Sequence, residues 1–258
     1  MKNSIMIMLL IIVLVFSLTN CQSGGETKTD TKTEMKSESK SDSMKKSDKS
    51  EAGPLDIEGW SAYLCDSKPE TAGFEEDGKS SPTIKVMKDK EIANNKLLKF
   101  TSGEPDGYYE FTNFKNDFTQ ITVVLRAKGS GTADRTWEIE VANKGLREKA
   151  RLSNKEIKLE KSGEKAKKRD DGTFHIWRIT MTFAEGQVTT SVYMDENETP
   201  VIDGAVSTTT DTKTRLLFGD RSGSQPYGAV YDWIIWSTDG AYKPSEKPLP
   251  ASLSGVAK

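Results

Sequence analysis

Two glutamates on one predicted strand, Glu138 and Glu140, are the leading candidates for chemistry in this sequence. They alternate with Trp137, Ile139 and Val141, so a strand through this segment would place both carboxyl groups on its polar, solvent-facing side. Two carboxyl groups about 5–5.5 Å apart can hydrolyse a glycosidic bond with retention, one attacking the anomeric carbon and the other donating a proton. Such a pair can also accept hydrogen bonds from sugar hydroxyls without cleaving anything.

The sequence contains few histidines and cysteines from which another catalytic centre could be built. His175 is the only histidine in the chain, and its parity with Trp177 places it on the packed face of a strand. A Ser-His-Asp or Cys-His centre, or a zinc site, would have to be built around that one ring. The sequence therefore predicts no catalytic or metal residues. If the other cysteine, Cys21, carries lipid, Cys65 has no partner for an intramolecular disulfide. A reactive or intermolecular thiol is one interpretation of Cys65, and a buried, inert one is favoured.

Basic residues concentrate between Lys144 and Arg169, where eleven lysines and arginines stand against four acids in a chain whose formal net charge is −2. A basic surface attracts anionic partners, and Arg147 and Arg151 are candidates to bind a glycan or an anionic polysaccharide. The alternative is a long solvated hairpin without a ligand, particularly at KSGEKAKKRDDG. Nucleic acid is not expected as a partner, because the chain is predicted to be exported.

Calcium is the one cofactor left open, since Asp195, Asp220 and Asp232 lie in segments that could supply oxygen ligands. Asp195 suits a hairpin turn and Asp232 a strand cap equally well, so the spacing does not require a metal. Trp233 and Trp236 could stack on sugars if they are exposed, but tryptophans in a strand of this kind are predicted to belong to the core.

Two-residue alternation of apolar and polar side chains is the dominant pattern. It predicts half-buried antiparallel strands, each with one packed face and one wet face. The predicted strands are KLLKF (96–100), GYYEF (107–111), ITVVLRA (121–127), TWEIEVAN (136–143), HIWRITMTF (175–183), VTTSVYM (188–194), RLLFG (215–219) and VYDWIIW (230–236). Many short strands with glycine-rich turns predict a sandwich or a barrel.

The first twenty residues have the features of an export signal. Lys2 is followed by an apolar run from Ile5 to Leu18, broken only by Ser17. This run is shorter than the roughly 20 residues of a spanning helix. Residues 1–20 are therefore predicted to be a removable signal peptide.

The segment LTNC, which ends at Cys21, resembles the lipobox of bacterial lipoproteins. Asn20 stands where Gly, Ala or Ser is usual, as in the looser lipoboxes of spirochaete lipoproteins. The resemblance implies cleavage before Cys21 and acyl chains, such as palmitate, on that cysteine. The protein would then be lipid-anchored in the cell envelope. The outer membrane is favoured, because Gln22 is not the aspartate that acts as an inner-membrane retention signal.

Residues 21–53 are predicted to be a disordered tether. Between Glu26 and Glu51 seven lysines and seven acids are interleaved, mainly with serines and threonines. Such a segment has too little apolar surface to offset the entropy of folding. The remaining residues, 54–258, are predicted to form one folded domain.

The order of the predicted strands from Asn95 to Trp236 resembles the concanavalin A-like lectin/glucanase superfamily, which includes laminin G-like modules. The resemblance is carried by KLLKFTSGEPDGYYEF, FTQITVVLRA, FHIWRITMTFAEGQVTTSVYMDENETPVIDG and LLFGDRSGSQPYGAVYDWIIWSTDGAY. It implies an all-β, antiparallel two-sheet jelly-roll sandwich. Laminarinase-type hydrolases of this superfamily carry Glu-x-Asp-x-x-Glu on one strand. Glu138 would match the nucleophile and Glu140 the helper acid, but the acid/base position falls on Asn143, which cannot act as an acid.

Taken together, these features predict a membrane-anchored lipoprotein whose jelly roll binds a ligand, carbohydrate being favoured, without catalysis. The predicted ligand-binding residues are Glu138, Glu140, Arg147 and Arg151. Two alternatives stay open: a polysaccharide-active glycoside hydrolase or lyase, and a structural envelope lipoprotein.

Overall fold

The computed structural model describes residues 52–78, 81–102, 107–129, 137–153, 155–167, 172–220 and 227–255. The predicted signal peptide, Cys21 and nearly all of the predicted tether lie outside these residues. The described chain is mostly β-strand, with a 3₁₀ helix at Pro69–Ala72 and a short helix, α1, at Ala251–Ser254. Neither of these two helices has the length and apolarity needed to cross a membrane.

Sixteen strands are found in the described residues. They are β1 (Leu55–Ile57), β2 (Trp60–Tyr63), β3 (Glu75–Gly78), β4 (Thr83–Lys88), β5 (Lys96–Ser102), β6 (Gly107–Phe111), β7 (Gln120–Gly129), β8 (Trp137–Asn143), β9 (Leu146–Leu152), β10 (Glu156–Leu159), β11 (Lys165–Lys167), β12 (His175–Ala184), β13 (Gln187–Met194), β14 (Ile202–Ser207), β15 (Arg215–Asp220) and β16 (Tyr227–Ser237).

The strands form two antiparallel sheets, which pack face to face. In the described chain a nine-stranded sheet runs β1-β2-β16-β7-β12-β13-β14, with β5 also paired to β16 and β4 paired to β5. The second, a seven-stranded sheet, runs β11-β10-β9-β8-β15-β6-β3. This architecture confirms the predicted all-β, two-sheet antiparallel sandwich, and each of the eight predicted strands falls on an observed strand.

Three tight hairpins set the register of neighbouring strands. Each has a two-residue loop ending in glycine, at residues 58–59, 144–145 and 185–186, and both loop residues have positive φ. Such loops are type I′ turns, whose twist matches that of the strands they join. The hairpin between β8 and β9 matters most for function, because it places Glu138 opposite Arg151 and Glu140 opposite Lys149.

One apolar cluster drawn from both sheets fills the interior. His175 belongs to its edge: the ring centroid lies 6.1 Å from that of Trp177 and Nδ1 lies 2.9 Å from a carboxylate oxygen of Asp195. Cys65 is fully buried and forms no disulfide, and its burial raises the pKa of the thiol. Both residues are buried as predicted.

The prediction of one wet face per strand is wrong for the central strands. Every residue of β6 and β8 is buried. On the outer face of the nine-stranded sheet, a second apolar cluster that includes Trp60, Val124 and Trp233 packs under Leu253 of α1. Trp233 and Trp236 are each 2% exposed, as predicted for core residues. On the seven-stranded sheet the outer face is closed by charged side chains.

Candidate functional site

Six carboxylates and six cationic groups form an ion-pair network on the outer face of the seven-stranded sheet and its adjoining loops, which we call the charged face. Its members are Asp77, Glu110, Glu138, Glu140, Glu160 and Asp211 together with Arg147, Lys149, Arg151, Lys161, Lys213 and Arg215. Strand alternation and the register of β8, β9 and β15 bring these side chains to one side. All four residues predicted to bind ligand belong to it.

Glu138 is the centre of one half of the charged face. Its carboxylate accepts hydrogen bonds from Arg151 Nε at 2.7 Å and from Lys149 Nζ at 3.2 Å. Glu160 completes the group, because its carboxylate accepts hydrogen bonds from Arg151 and, at 3.0 Å, from Lys161 Nζ. The Glu138 carboxylate is therefore closed over by cationic side chains from β9.

Glu140 and Arg215 are the centre of the other half. Arg215 Nη2 donates to Glu140 Oε1 at 2.7 Å and to Asp211 Oδ2 at 2.6 Å, while its Nη1 lies 3.5 Å from Glu110 Oε2. Arg147 Nη1 lies 3.5 Å from Glu140 Oε2. The Arg215 side chain is 1% exposed and that of Glu140 is fully buried, so this is a buried ion-pair network.

The prediction that Glu138 and Glu140 face solvent is therefore wrong. A strand pattern shows which residues share a face, and the two glutamates do share one. It does not show that cationic partners from β9 and β15 cover that face. A carboxylate can be buried in this way only when it is paired and hydrogen-bonded, since an unpaired buried charge is strongly disfavoured.

Part of the expected basic surface is neutralised. Arg147, Lys149, Arg151 and Lys161 all come from the basic stretch, and within the charged face each is matched by a carboxylate. What the charged face presents outward is a balanced set of partly exposed groups. Among them, the side chains of Arg147 and Glu160 are 22% and 24% exposed.

Asn143 has a structural role at the position where a glycosidase acid/base would lie. Its Nδ2 donates to the backbone oxygen of Phe118, and its Oδ1 accepts a hydrogen bond from Thr214 Oγ1 at 3.1 Å. The side chain is buried and ties β8 to two loops. It offers no acidic proton to a leaving group.

The three aspartates considered for calcium have different surroundings. Asp195 has φ 54° in the turn after β13, as predicted, and accepts a hydrogen bond from the backbone N–H of Ile176 at 3.0 Å. Asp232 is not a strand cap, because it lies inside β16 and pairs with Arg126. The side chain of Asp220 is not among those described. Within the described ranges no group of three or more His, Cys, Asp or Glu side chains is arranged to hold a metal ion.

Glu160 should link the stability of the charged face to pH. Burial acts to raise the pKa of its carboxyl group, but Lys149, Lys161 and Arg151 outweigh burial and lower it to about 2 from 4.5. A carboxyl group whose pKa is lower in the folded state contributes stability that is full above pH 4.5 and is lost as the pH falls towards 2. Chemical denaturation of Glu160→Gln should show a smaller acid-induced loss of unfolding free energy over this range than the wild type.

The control for this prediction is Glu156→Gln on the edge-proximal strand β10. The Glu156 side chain is 40% exposed and its carboxylate lies 3.9 Å from Lys165, so Glu156→Gln should change the unfolding free energy little. Superimposable profiles for Glu160→Gln and the wild type would contradict the assignment.

Comparison with known proteins identifies no family: no protein-family profile and no curated protein matches the chain. Among solved structures, a carbohydrate esterase of the Shiga toxin-encoding bacteriophage phi24B is similar at 17% identity and a TM-score of 0.43, over 68% of this chain and 95% of that one. Domain 4 of an extracellular arabinanase from Geobacillus stearothermophilus, solved with arabinotriose, is similar at 16% identity and a TM-score of 0.44, over 76% and 97%. A botulinum neurotoxin binding domain in complex with SialylT is similar at 9% identity and a TM-score of 0.45, over 72% and 46%.

Proposed function

We propose that this protein is a lipid-anchored envelope protein whose sandwich binds carbohydrate through the charged face without cleaving it. The observation that carries the proposal is the guanidinium group of Arg147. It is partly exposed, approaches Glu140 and Asp211 only to 3.5 Å, and donates no hydrogen bond to any described residue. Its Nε is buried without a partner there. It is a positioned group of hydrogen-bond donors that the protein itself leaves largely unused.

The chemistry of that group suits paired oxygen acceptors. A guanidinium is planar and presents parallel N–H donors, which match the two oxygens of a carboxylate or of neighbouring sugar hydroxyls. Arg151, 18% exposed, lies on the same face and is held by Glu138. Because the carboxylates of Glu138 and Glu160 fix Arg151 before a ligand arrives, little conformational entropy of that side chain is lost on binding.

The network itself also favours a binding role. Buried ion pairs add little net stability compared with apolar residues of similar size. A large set of charged side chains on an outer sheet face therefore calls for a reason besides folding, and positioning donors for a polar ligand is such a reason. A purely structural lipoprotein could pack an apolar face against its neighbours instead.

Catalysis is not part of the proposal. Both candidate carboxylates are engaged by cationic side chains, and Asn143 stands where the acid/base residue would be required. Retaining hydrolysis needs a carboxyl group that can donate a proton to the leaving oxygen. The charged face is thus equipped to hold a glycan and lacks the group that would cleave it.

Anchoring rests on the amino-terminal sequence. Two or three acyl chains on Cys21, each contributing about 0.8 kcal/mol per buried methylene, would hold the protein on a membrane. A flexible tether of about 32 residues would place the sandwich on the order of 30 Å from the lipid. Mass spectrometry of protein from the native cells should find acyl chains on Cys21 and a mature chain starting there. An unmodified thiol, or a chain that keeps Met1, would contradict the anchoring.

Glycan binding is tested with the full-length protein in detergent on an array of neutral and acidic glycans. Binding is expected without release of reducing ends, and Arg147→Ala is expected to weaken it by at least about tenfold, because charge-assisted hydrogen bonds are lost. Lys165→Ala is the matched control, since Lys165 lies on the edge strand β11 with its side chain 66% exposed.

Three results would contradict this proposal. Equal binding by Arg147→Ala and the wild type would place the glycan elsewhere. A failure of every glycan to bind would favour a structural role. Release of reducing ends that is abolished by Glu138→Gln would identify a hydrolase.

A further inference from the structure

One edge of β16 pairs with two different strands in turn, and the gap between these two strands is called the notch of the nine-stranded sheet. That edge pairs with β5 as far as Tyr231 and with β2 from Ile234 onwards. Asp232 is the extra residue of a β-bulge at this point. Tyr231 and Ile234 both belong to the interior cluster, so the bulge directs both Asp232 and Trp233 to the outer face, away from the charged face.

A cavity of about 330 Å³ lies at the notch, between the ends of β2 and β5 and helix α1. This volume is at the lower end of the range for small-molecule sites, roughly 300–1,000 Å³. Its wall is mixed: Leu64, Trp233 and Leu253 are apolar, whereas Asp66, Asn95 and Ser252 are polar. Such a lining suits a small ligand that has both polar groups and an apolar surface.

One wall of the cavity is fixed by a hydrogen-bond chain that is buried at Arg126 and Asp232 and partly buried at Asn95 and Asp89. Arg126 Nη1 donates to Asp232 Oδ2 at 2.5 Å, and Asn95 Nδ2 donates to Asp232 Oδ1 at 2.7 Å and to Asp89 Oδ2 at 3.0 Å. Because both amide hydrogens of Asn95 are used by carboxylates, the orientation of its Oδ1 is set. That oxygen accepts no hydrogen bond from the described residues, so it is a preoriented acceptor.

Other polar groups of the lining are also unused. The Ser252 hydroxyl makes no hydrogen bond to the described residues, and Lys96 Nζ has only a 3.5 Å contact with the backbone oxygen of Asp66. The cavity therefore combines spare donors with spare acceptors.

The charges near the cavity do not favour an anion. The Lys96 ammonium and the Arg126 guanidinium stand against the carboxylates of Asp66 and Asp232, and the Asp89 carboxylate, 3.0 Å from Asn95 Nδ2, adds a further negative charge. An anionic ligand would therefore gain no net attraction here. A purely apolar ligand would bury the spare donors and acceptors without partners, which is costly.

We propose that this cavity binds a single uncharged sugar residue. Sugar hydroxyls both donate and accept hydrogen bonds, as the lining requires, and the carbon face of a sugar ring can lie against the partly exposed Leu64. The site is distinct from the charged face, since it lies on the outer face of the other sheet. This proposal goes beyond the function proposed above and does not depend on it.

The test is calorimetric titration of the full-length protein in detergent with glucose, galactose, mannose and N-acetylglucosamine. Glucuronate serves as the anionic probe and cyclohexanol as the apolar one. At least one neutral sugar should bind saturably, in the millimolar range or tighter. Ser252→Trp, which fills the cavity from exposed α1, should weaken that binding by at least about tenfold, whereas Ser254→Trp on the same helix should leave it unchanged.

A second variant tests the proposal in case Ser252→Trp does not fold. Lys96 is exposed, so Lys96→Ala should keep the fold, as measured by near-ultraviolet circular dichroism, and weaken the sugar by about threefold through loss of one hydrogen bond. The proposal is overturned if no neutral sugar binds, or if glucuronate or cyclohexanol binds more tightly than all of them. It is also overturned if binding survives Ser252→Trp and is lost in Arg147→Ala, a result that would place the sugar on the charged face.

Discussion

Arg215→Ala is expected to lower the free energy of unfolding by about 3–5 kcal/mol, the range found when one partner of a buried ion pair is removed. The Arg215 guanidinium contacts the carboxylates of Glu140, Asp211 and Glu110, and its side chain is only 1% exposed. Alanine would leave the three carboxylates close together on the outer sheet face without their shared cation. Equilibrium denaturation with urea measures the loss.

Arg147→Ala is the matched control for this prediction. Arg147 shares Glu140 and Asp211 with Arg215, but its contacts are 3.5 Å long and its side chain is 22% exposed. Its removal should cost less than about 1 kcal/mol, as is usual for partly exposed ion pairs. The double variant Glu140→Met, Arg215→Met should recover part of the loss, because the buried carboxylate and its partner are removed together. A cost below about 1 kcal/mol for Arg215→Ala would contradict the assignment of Arg215 as the centre of this half of the charged face.

The predicted strands were confirmed where alternation is regular, and a strand was missed where a polar side chain faces inward. No strand was predicted over β9, where LREKARL has Glu148 on the same face as Leu146, Ala150 and Leu152. That carboxylate accepts hydrogen bonds from the backbone N–H groups of Lys149, Lys161 and Ser162, which close the end of the strand pair. Although these bonds act to lower the pKa of Glu148, burial outweighs them and raises it. Sequence periodicity cannot reveal a carboxylate that serves as a partner for backbone groups.

The candidate sites also depend on contacts that sequence periodicity cannot predict, here between residues far apart along the chain. Spacing alone placed Glu138 and Glu140 on one face, and the register of β8 confirms it. The burial of Glu140 depends on Arg215, which is 75 residues away along the chain. Likewise, the alternation in VYDWIIW predicted a strand but not the bulge within it. The bulge exists because the residues before and after Asp232 pair with consecutive residues of β7, which leaves Asp232 without a partner in the ladder. Local patterns identify strands, whereas pairing between distant strands decides which polar groups are buried and where a cavity opens.

Phe218→Ala is the second change with a large expected effect, about 3–5 kcal/mol of unfolding free energy. Phe218 is fully buried on β15 and makes ring contacts with residues of both sheets. Its ring centroid lies within 5.2 to 6.2 Å of those of Tyr63, Phe74, Phe100, Tyr109 and Tyr231. Most of these partners are held by paired strands, so the surroundings cannot collapse into the space that alanine leaves, and the cavity cost adds to the lost burial.

Phe114→Ala is the control, because Phe114 is only partly buried and contacts Phe111 and Phe118 at the margin of the core. It should cost clearly less than Phe218→Ala in the same urea titration. A loss below about 1 kcal/mol for Phe218→Ala would show that the aromatic cluster can repack.

The two faces of β15 allow one sharper test. Phe218 points into the core and Arg215 into the charged face, so the two side chains share a strand and no side-chain partner. The milder changes Phe218→Leu and Arg215→Lys should therefore add within about 0.5 kcal/mol when combined. A larger coupling energy would mean that the core and the charged face stabilise each other through the strand. In that case, changes in the buried aromatic cluster would also alter the positions of the guanidinium groups proposed to bind glycan.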